Sequence, residues 1–135
     1  MRTATIEIEI PFHDVDSMNI VWHGHYAKYF EIARCALLES FDYGYQEMRN
    51  SGYSWPIVDM RTKYISPLSF RQKVLVKASL IEWECRIKIA YTISDRCSEK
   101  TLCRAHTTQM AINLKNGETC MQSPNCLLDK LEPIS

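Results

Sequence analysis

The sequence predicts an α+β fold in which one long helix packs on an antiparallel sheet. One segment has apolar residues at helical spacing, and four or five segments with strand-like alternation follow it consecutively. The chain has 135 residues, of which 46% are hydrophobic and 24% are charged. This length and balance are typical of one globular domain, so we expect a single domain over residues 1–135.

The charge and hydropathy patterns argue against two broad classes of protein. Lys and Arg number 16 and Asp and Glu also number 16, so the formal net charge is zero. That balance argues against a nucleic-acid binder that relies on a large basic surface. No stretch approaches the roughly 18 apolar residues of a membrane-spanning helix, and the alternation in residues 1–10 is unlike a secretory signal. We therefore expect a soluble, cytoplasmic protein.

The six cysteines are expected to be reduced thiols with structural roles. They are Cys35, Cys85, Cys97, Cys103, Cys120 and Cys126. No two form a C-x-x-C pair, and the set lacks zinc-finger spacing. A cytoplasmic compartment keeps such thiols reduced.

The first part of the chain is predicted to form a strand, a turn-rich loop and the long helix. Residues 5–12 alternate strictly, which predicts a half-buried strand. Its apolar face carries Ile6, Ile8, Ile10 and Phe12. From about Gly24 an apolar stripe at helical spacing comprises Tyr26, Phe30, Ala33, Leu37 and Phe41, widened by Tyr29, Ala36 and Leu38. Such a stripe predicts a helix buried on more than one side, ending near Tyr43–Gly44, where glycine suits a C-cap.

The rest of the chain is predicted to be mainly strands. A polar link over residues 46–54 is followed by predicted strands at residues 55–64, 74–81, 86–94 and 101–114. Asn116–Gly117 is a two-residue hairpin signal that leads into residues 119–121, and residues 124–131 could form a short helix. One helix covers only one face of such a sheet, so we expect dimerisation to bury other surfaces.

The residues able to do chemistry concentrate in the loop before the helix. This region contains two carboxylates and three histidines: His13, Asp14, Asp16, His23 and His25. A helix N-terminus offers unpaired backbone N–H groups and a partial positive charge, which polarise a carbonyl or hold an oxyanion. If the helix starts near His23 and Gly24, glycine permits close approach of a ligand, and Asp16 could fold back beside the same point.

This combination suits acyl transfer to water. Asp16 would act as a general base on water or attack directly to give a mixed anhydride. A thioester is favoured over an amide as the substrate because its leaving thiol needs little acid assistance. The competing interpretation is structural, since an Asp before a helix commonly starts a turn. Asp14 is expected to hold the loop.

Several other types of site are disfavoured. The sequence has no nucleotide-binding glycine loop, no zinc-protease motif and no serine-hydrolase elbow. His23 and His25 would point in different directions on a helix, and no acidic or cysteine ligand has a supporting spacing. We therefore expect neither a metal site nor a cofactor.

Two further residues are candidates for substrate binding. Trp55 could line an acyl pocket, as could Trp22, although large apolar residues more often belong to the core. Asp59, on a strand expected to face the helix, could contact a substrate or pair with Arg61 or Lys63. Both interpretations of each residue are compatible with the sequence.

The loop and helix resemble a known family of thioesterases. The pattern is Asp14-x-Asp16, then Ile20-Val21-x-His23-x-x-Tyr26, then Phe30-Glu31-x-Ala33-Arg34. It resembles the 4-hydroxybenzoyl-CoA thioesterase-type hotdog family, which includes the Tol-Pal-associated acyl-CoA thioesterases. The match is strongest over residues 12–34, and the rest agrees in order and length, including Tyr64 and Pro67. The resemblance implies a hotdog fold, in which an antiparallel sheet of five or six strands wraps a long central helix.

The resemblance also implies a site and an activity. Asp16 matches the catalytic carboxylate, while His23 and Gly24 lie at the helix N-terminus, where backbone amides bind the thioester carbonyl. Tyr26 matches the aromatic residue that packs the start of the helix. Two positions depart from the family pattern: Asn19 replaces a common glycine, and Gln72 stands where relatives often carry Asp. Asn is nonetheless the next best residue for a positive φ.

The implied activity is hydrolysis of an acyl-CoA, or of an acyl-carrier-protein thioester, to a free acid and a thiol, without a cofactor. Family members form homodimers with sites at the subunit interface, and often homotetramers. Two alternatives stay open: a hotdog hydratase or dehydratase, and a non-catalytic acyl-binding module. Coenzyme A carries phosphates, so a cation near the entrance is expected. The candidates are Arg61, Lys63, Arg71, Lys73, Lys100 and Arg104.

Overall fold

The computed structural model describes residues 2–131 and confirms the α+β architecture. The strands are β1 (Thr3–Glu9), β2 (Tyr53–Ser54), β3 (Ile57–Tyr64), β4 (Lys73–Glu82), β5 (Ile87–Asp95), β6 (Thr101–Gln109) and β7 (Ile112–Asn113). The helices are α1 (Tyr26–Glu39), α2 (Tyr45–Asn50) and α3 (Asn125–Leu131). Five strands form an antiparallel sheet in the order β1-β4-β5-β6-β3, and β2 pairs with β7 separately. The long helix α1 packs against β1 and β4.

The core lies between α1 and one face of the five-stranded sheet. The alternation predicted for β4 and β5 is confirmed, since one face of each strand is buried: Val74, Val76, Ala78, Leu80, Ile87, Ile89, Tyr91 and Ile93. The helical stripe is confirmed within α1, where its buried members are Tyr26, Tyr29, Phe30, Ala33, Leu37 and Leu38. Ala36 is half-buried, and Phe41 is buried but lies beyond the end of the helix. Each such large side chain contributes about 1.5–3 kcal/mol through burial. This core fixes the start of α1 relative to the sheet.

The first strand ends earlier than the alternation predicts. β1 stops at Glu9, and Ile10 is buried with its N–H donating to the Gln72 carbonyl at 3.0 Å. Phe12 was expected on the buried face but is 73% exposed, in a 3-10 turn over Phe12–Asp14. The prediction is wrong there because the chain turns after Pro11, so the period of two no longer determines which side chain faces the core.

The long helix also ends earlier than expected, and glycine does not cap it. α1 stops at Glu39, and Asp42 takes the left-handed conformation with φ 58°. The N–H of Tyr43 donates to the Leu38 carbonyl at 3.0 Å, and that of Asp42 to the Glu39 carbonyl at 3.1 Å. These bonds are those of a Schellman motif. No helix within residues 2–131 is long and apolar enough to cross a membrane.

The segments around the small sheet differ in detail from the prediction. The expected polar link over residues 46–54 contains most of α2 and the strand β2. The expected strand over residues 101–114 is divided, because β6 ends at Gln109 and β7 turns away to pair with β2. A turn is present at Asn116–Gly117, but it is longer than the predicted two residues: the Asn113 N–H donates to the Glu118 carbonyl at 2.9 Å and encloses residues 114–117, with Gly117 at φ 71°. Beyond it, Thr119 makes only an isolated bridge to Ile112.

Candidate active site

A cleft of about 390 Å³ opens between the start of α1 and the end of β3. Its lining residues are Asp16, Ile20, Val21, Trp22, His23, Tyr26, Tyr64, Ile65, Ser66 and Pro67. The structure therefore places three of the predicted site residues, Asp16, His23 and Tyr26, around one space. The loop that carries Asp16 is held to the opposite wall by the Val21 N–H, which donates to the Leu68 carbonyl at 2.8 Å.

Asp16 lies in a tight turn that leaves much of its carboxylate exposed. Its Oδ1 accepts from the backbone N–H of Met18 at 2.8 Å and of Ile20 at 3.5 Å. The turn is closed by the Asn19 N–H, which donates to the Asp16 carbonyl at 2.9 Å. Asn19 has φ 63°, so it adopts the left-handed conformation that glycine favours. Within the described chain, Asp16 Oδ2 accepts no hydrogen bond and is available to a ligand or water.

Asp14 lies two residues away in a different environment. Its side chain is fully buried, and its carboxylate accepts from Lys28 Nζ and from the Tyr29 hydroxyl, both at 2.6 Å. His13 and His25 approach the same carboxylate at 3.7 and 3.9 Å. Burial by itself raises the pKa of Asp14, but the hydrogen bonds from Lys28 and Tyr29 outweigh it and hold the pKa below its usual value. The expectation that Asp14 holds the loop agrees with these contacts.

The N-terminus of the helix presents free backbone donors beside the cleft. A 3-10 turn over His23–His25 precedes α1, with the His25 N–H bonded to the Trp22 carbonyl at 2.9 Å. Among residues 2–131, no acceptor pairs with the N–H of His23 or of Gly24. The partial positive charge of α1 adds to these two donors. Two adjacent unpaired N–H groups at a helix start are suited to binding a carbonyl oxygen or an oxyanion.

Gly24 also determines the shape of the turn. A Cβ atom on Gly24 would lie 2.2 Å from the Trp22 ring, so any larger residue would displace the indole. Trp22 lines the cleft and packs near the rings of His23 and His25, at 5.2 and 5.4 Å between centroids. Glycine at this position therefore allows the close packing of Trp22, and the approach of a ligand to Gly24 stays a prediction.

Two tyrosines form the wall opposite Asp16. The rings of Tyr26 and Tyr64 meet edge to face, with 4.8 Å between centroids. Burial raises the pKa of Tyr26 to about 12, so its phenol stays neutral near pH 7. The Tyr64 hydroxyl donates to the His23 carbonyl at 3.5 Å, which connects β3 to the turn before α1. The family pattern includes Tyr64 and Pro67 without a role for them, and Ile65 and Ser66, which also line this wall, have no signal in the sequence.

Trp55 and Asp59 lie outside the cleft of this chain. Trp55 is 5% exposed, and its indole N–H donates to the Tyr43 hydroxyl at 3.0 Å, which places it in the core. On β3, Asp59 lies on the face of the sheet opposite α1, 3.9 Å from His106 Nε2. Neither Arg61 nor Lys63 forms an ion pair with it in residues 2–131.

The loop behind the cleft is held by Gln72. Its Oε1 accepts from the Ser69 N–H at 3.0 Å, while its Nε2 donates to Asp95 Oδ2 at 2.8 Å. The bond from Gln72, together with backbone N–H groups of Ser98 and Cys97, lowers the pKa of Asp95 to about 2. Position 72 needs a hydrogen-bond donor here because Asp95 is a carboxylate and accepts only, and the Gln72 amide supplies that donor.

Comparison with known proteins supports a family assignment. The sequence profile of the Thioesterase-like superfamily matches residues 10–131. YneP of Bacillus subtilis (strain 168), which is named provisionally as an acyl-CoA thioesterase, is 32% identical over 76 residues. That match covers 56% of this chain and 55% of YneP, so it spans only about half of that relative's length.

Solved structures confirm the hotdog fold. A 1,4-dihydroxy-2-naphthoyl-CoA thioesterase from Synechocystis superposes with a TM-score of 0.84 at 21% identity, covering 96% of this chain and 95% of its own. A mutant 4-hydroxybenzoyl-CoA thioesterase complexed with 4-hydroxybenzoyl-CoA gives 0.83 at 16% identity, covering 98% and 100%. At these identities the likeness is one of fold. With the profile match over residues 10–131, it follows that this chain belongs to the Thioesterase-like superfamily and has the hotdog fold.

Proposed function

We propose that this protein hydrolyses an acyl thioester, carried by coenzyme A or by an acyl carrier protein, to a free acid and a thiol. The observation that carries the proposal is that one cleft is lined by the exposed carboxylate of Asp16 and by the start of the helix. Family membership supports the same reaction class. Proteins of this fold with thioesterase names act on aromatic acyl-CoA substrates, which supports a thioester as the substrate here.

The roles of the residues follow from their chemistry. The N–H groups of His23 and Gly24 donate to the thioester carbonyl oxygen, which gains negative charge as the carbon becomes tetrahedral. Asp16 takes a proton from a water molecule that attacks this carbon, or attacks it directly to form a mixed anhydride that water then cleaves. In both cases the thiolate leaves with the C–S bond electrons and takes up a proton. Tyr26 and Tyr64 form the wall of the cleft.

The first test is thiol release, followed colorimetrically, from short, medium, long and aromatic acyl-CoA substrates. We expect release by the wild type and its loss in Asp16→Asn, with Asp129→Asn, an exposed carboxylate on α3, as the matched control. Equal release by folded Asp16→Asn would refute the assignment of Asp16. Loss of absorbance from a conjugated acyl-CoA without thiol release would instead indicate a hydratase. If no acyl-CoA releases thiol, acyl-carrier-protein thioesters are assayed next, and failure there favours an acyl-binding module.

We also propose that the active form is a homodimer or a homotetramer joined through β3. This strand is an edge of the sheet, and Ile57, Val58 and Met60 on it are 40, 54 and 40% exposed. A long apolar edge with unpaired backbone groups is suited to pairing with another strand. Because Tyr64 ends the same strand, a partner chain at this edge would lie next to the cleft. Light scattering is expected to give a multiple of the 15.7 kDa chain mass, and a monomer would overturn this proposal.

A further inference from the structure

The long helix α1 carries a cation at the end where helices favour anions. Lys28 is in the first turn of α1, Tyr26–Tyr29, and that turn contains no acidic residue. The unpaired N–H groups at a helix start carry partial positive charge, which favours negative side chains there and disfavours positive ones. Lys28 is not among the residues that line the cleft, and the proposed hydrolysis assigns it no role. The position of this ammonium group is therefore explained only by a partner outside the helix.

That partner is the buried carboxylate of Asp14. Lys28 Nζ lies 2.6 Å from Asp14 Oδ1, and the Tyr29 hydroxyl donates to Oδ2 at 2.6 Å. The Asp14 side chain is fully buried, whereas that of Lys28 is 44% exposed. His13 Nε2 and His25 Nδ1 lie farther from the same carboxylate, at 3.7 and 3.9 Å. Lys28 thus supplies the positive charge that is in direct contact with this buried anion.

Asp14 is also close to the backbone donors that are proposed to hold the thioester carbonyl. Its own carbonyl accepts from the Trp22 N–H at 3.2 Å, so its peptide borders the turn before α1. Its carboxylate approaches the ring of His25, the residue that follows Gly24. These links place the carboxylate on the order of 10 Å or less from the N–H groups of His23 and Gly24. A negative charge at that distance repels the oxyanion that these donors would stabilise.

The ammonium of Lys28 determines how strongly this carboxylate repels an oxyanion. At the effective dielectric constant of about 20 that describes protein sites, a unit charge about 10 Å away changes the stability of an oxyanion about tenfold. Because Asp14 is sealed from solvent, water and salt screen its charge poorly. Burial raises the pKa of Tyr29, so its phenol stays neutral and holds the carboxylate without cancelling the charge. Cancellation therefore depends on Lys28.

We propose that Lys28 is a positioning residue that acts through Asp14: its ammonium cancels the charge of the buried carboxylate, which would otherwise oppose the oxyanion at the start of α1. This inference rests on the proposed thioester hydrolysis and goes beyond it, because it gives a role in turnover to a residue outside the cleft. The carboxylate holds the loop to the helix, and the ammonium removes the electrostatic cost of placing a carboxylate there.

The first arm of the test compares variants that change the charge with one that keeps it. Thiol release is measured with the acyl-CoA that the wild type cleaves fastest. Lys28→Gln is expected to lower kcat about tenfold and to change KM less than about twofold, because the oxyanion forms only in the transition state. Lys28→Arg keeps the charge and should restore kcat to within about threefold of the wild type. Lys130→Gln, which changes an exposed lysine on α3, is the matched control.

A double variant separates the electrostatic role from a structural one. Lys28→Gln/Asp14→Asn removes both charges, so its kcat is expected to exceed that of Lys28→Gln although one more native side chain is lost. If the pair served only to hold the loop, the double variant would be no more active than Lys28→Gln, and that result would overturn the proposal. Equal kcat in Lys28→Gln and the wild type, or equal losses in Lys28→Gln and Lys28→Arg, would also overturn it.

A second variant keeps the test decisive if Lys28→Gln does not fold. In Lys28→His the cation is present only when the imidazole is protonated, so kcat relative to the wild type should rise as the pH falls. His13 and His25, which also face Asp14, are present in both proteins, and their titration cancels in this ratio. A ratio that does not change with pH would contradict the proposal.

The second arm measures polarisation of the carbonyl without turnover. The ligand is a ketone analogue of the same acyl-CoA, with CH₂ in place of the thioester sulfur, and its C=O stretch is followed by infrared difference spectroscopy. The stretch is expected at lower frequency on the wild type than on Lys28→Gln, with the wild-type frequency recovered in Lys28→Gln/Asp14→Asn. Equal frequencies on all three proteins would overturn the proposal. A wild type that binds the analogue but cleaves no thioester would refute the proposed hydrolysis instead, while the frequencies still report on Lys28.

Discussion

Asp14 and Asp16 are separated by one residue and have opposite surroundings. Asp14 ends a 3-10 turn, is sealed from solvent and accepts from Lys28 and Tyr29 of α1. Asp16 starts the next turn, is exposed, and accepts only from backbone N–H groups of its own loop. The first carboxylate fastens the loop to the helix, and the second is held at the cleft with one oxygen free. Two carboxylates of the same residue type thus have different surroundings, one suited to holding the loop and the other to the reactivity proposed for Asp16.

The largest expected effect is on catalysis by Asp16. Replacing Asp16 with Asn keeps an oxygen that accepts from Met18 N–H, so the turn and the fold should persist. The amide cannot take a proton or attack a carbonyl, and turnover should fall about 100-fold or more. The free energy of unfolding should stay within about 0.5 kcal/mol of the wild type. A large loss of stability in Asp16→Asn would show that the two carboxylates are not divided in this way.

The second largest effect is expected on the free energy of unfolding when Asp14 is replaced. In Asp14→Asn, the amide NH₂ group replaces an acceptor that faces Lys28 Nζ and the Tyr29 hydroxyl, which are both donors. We expect a loss of about 2 kcal/mol in the free energy of unfolding, measured by urea denaturation. Tyr29→Phe removes one of the two hydrogen bonds and should cost about 1 kcal/mol. Equal stability of wild type and Asp14→Asn would contradict the fastening role.

The contribution of Asp14 to the free energy of unfolding depends on pH. The folded state holds the pKa of Asp14 below its ordinary value of 3.8, so folding favours the charged form. The stabilisation is therefore complete above about pH 4 and is lost as the pH falls through the lower, folded pKa. The difference in stability between wild type and Asp14→Asn should shrink in that acid range. A difference that grows on acidification would show that the sign of the pKa shift is wrong.

The smallest expected losses of turnover are at the start of α1, where they distinguish the role of the backbone N–H groups from that of the side chains. His23→Ala keeps the N–H at position 23 and should lower turnover less than Asp16→Asn does. Gly24→Ala should lower turnover about tenfold, because the added methyl group displaces the Trp22 ring. Adding Trp22→Ala to Gly24→Ala removes that clash and should make the two changes non-additive. A loss in His23→Ala equal to that in Asp16→Asn would mean that the imidazole itself takes part in the reaction.

The regular parts of the fold were predictable because their side-chain periods are unambiguous. β4 and β5 alternate strictly, and the stripe of α1 continues from Tyr26 to Leu37, so both were assigned correctly. The ends were less predictable, because they depend on single backbone conformations. Gly44 was expected to stop α1, but Asp42 takes the left-handed position and Gly44 is the N-cap residue of α2. Nothing in the local pattern distinguishes these two choices.

The candidate site was predictable in its loop and unpredictable in its opposite wall. Asp16, His23 and Tyr26 are close in sequence, and the family pattern fixes their spacing. Residues 64–67 approach them only through the sheet, by contacts that no local pattern encodes. The sequence left the orientation of Asp59 open, and a bulge near residues 57–59 changes which face the strand presents there. Trp55 was assigned to either of two roles, and its buried bond to Tyr43 agrees with the core.

The bridge from Gln72 to Asp95 has a consequence for the evolution of this superfamily. A homologue with Asp at position 72 would place two carboxylates at hydrogen-bonding distance if it also kept Asp95, and their repulsion would loosen the loop behind the cleft. The two positions should therefore co-vary, with an acid at one matched by a donor at the other. Exchanging one residue without the other should be deleterious even though neither residue lines the cleft. Substitution at position 72 is in this sense constrained by the identity of a residue 23 positions away.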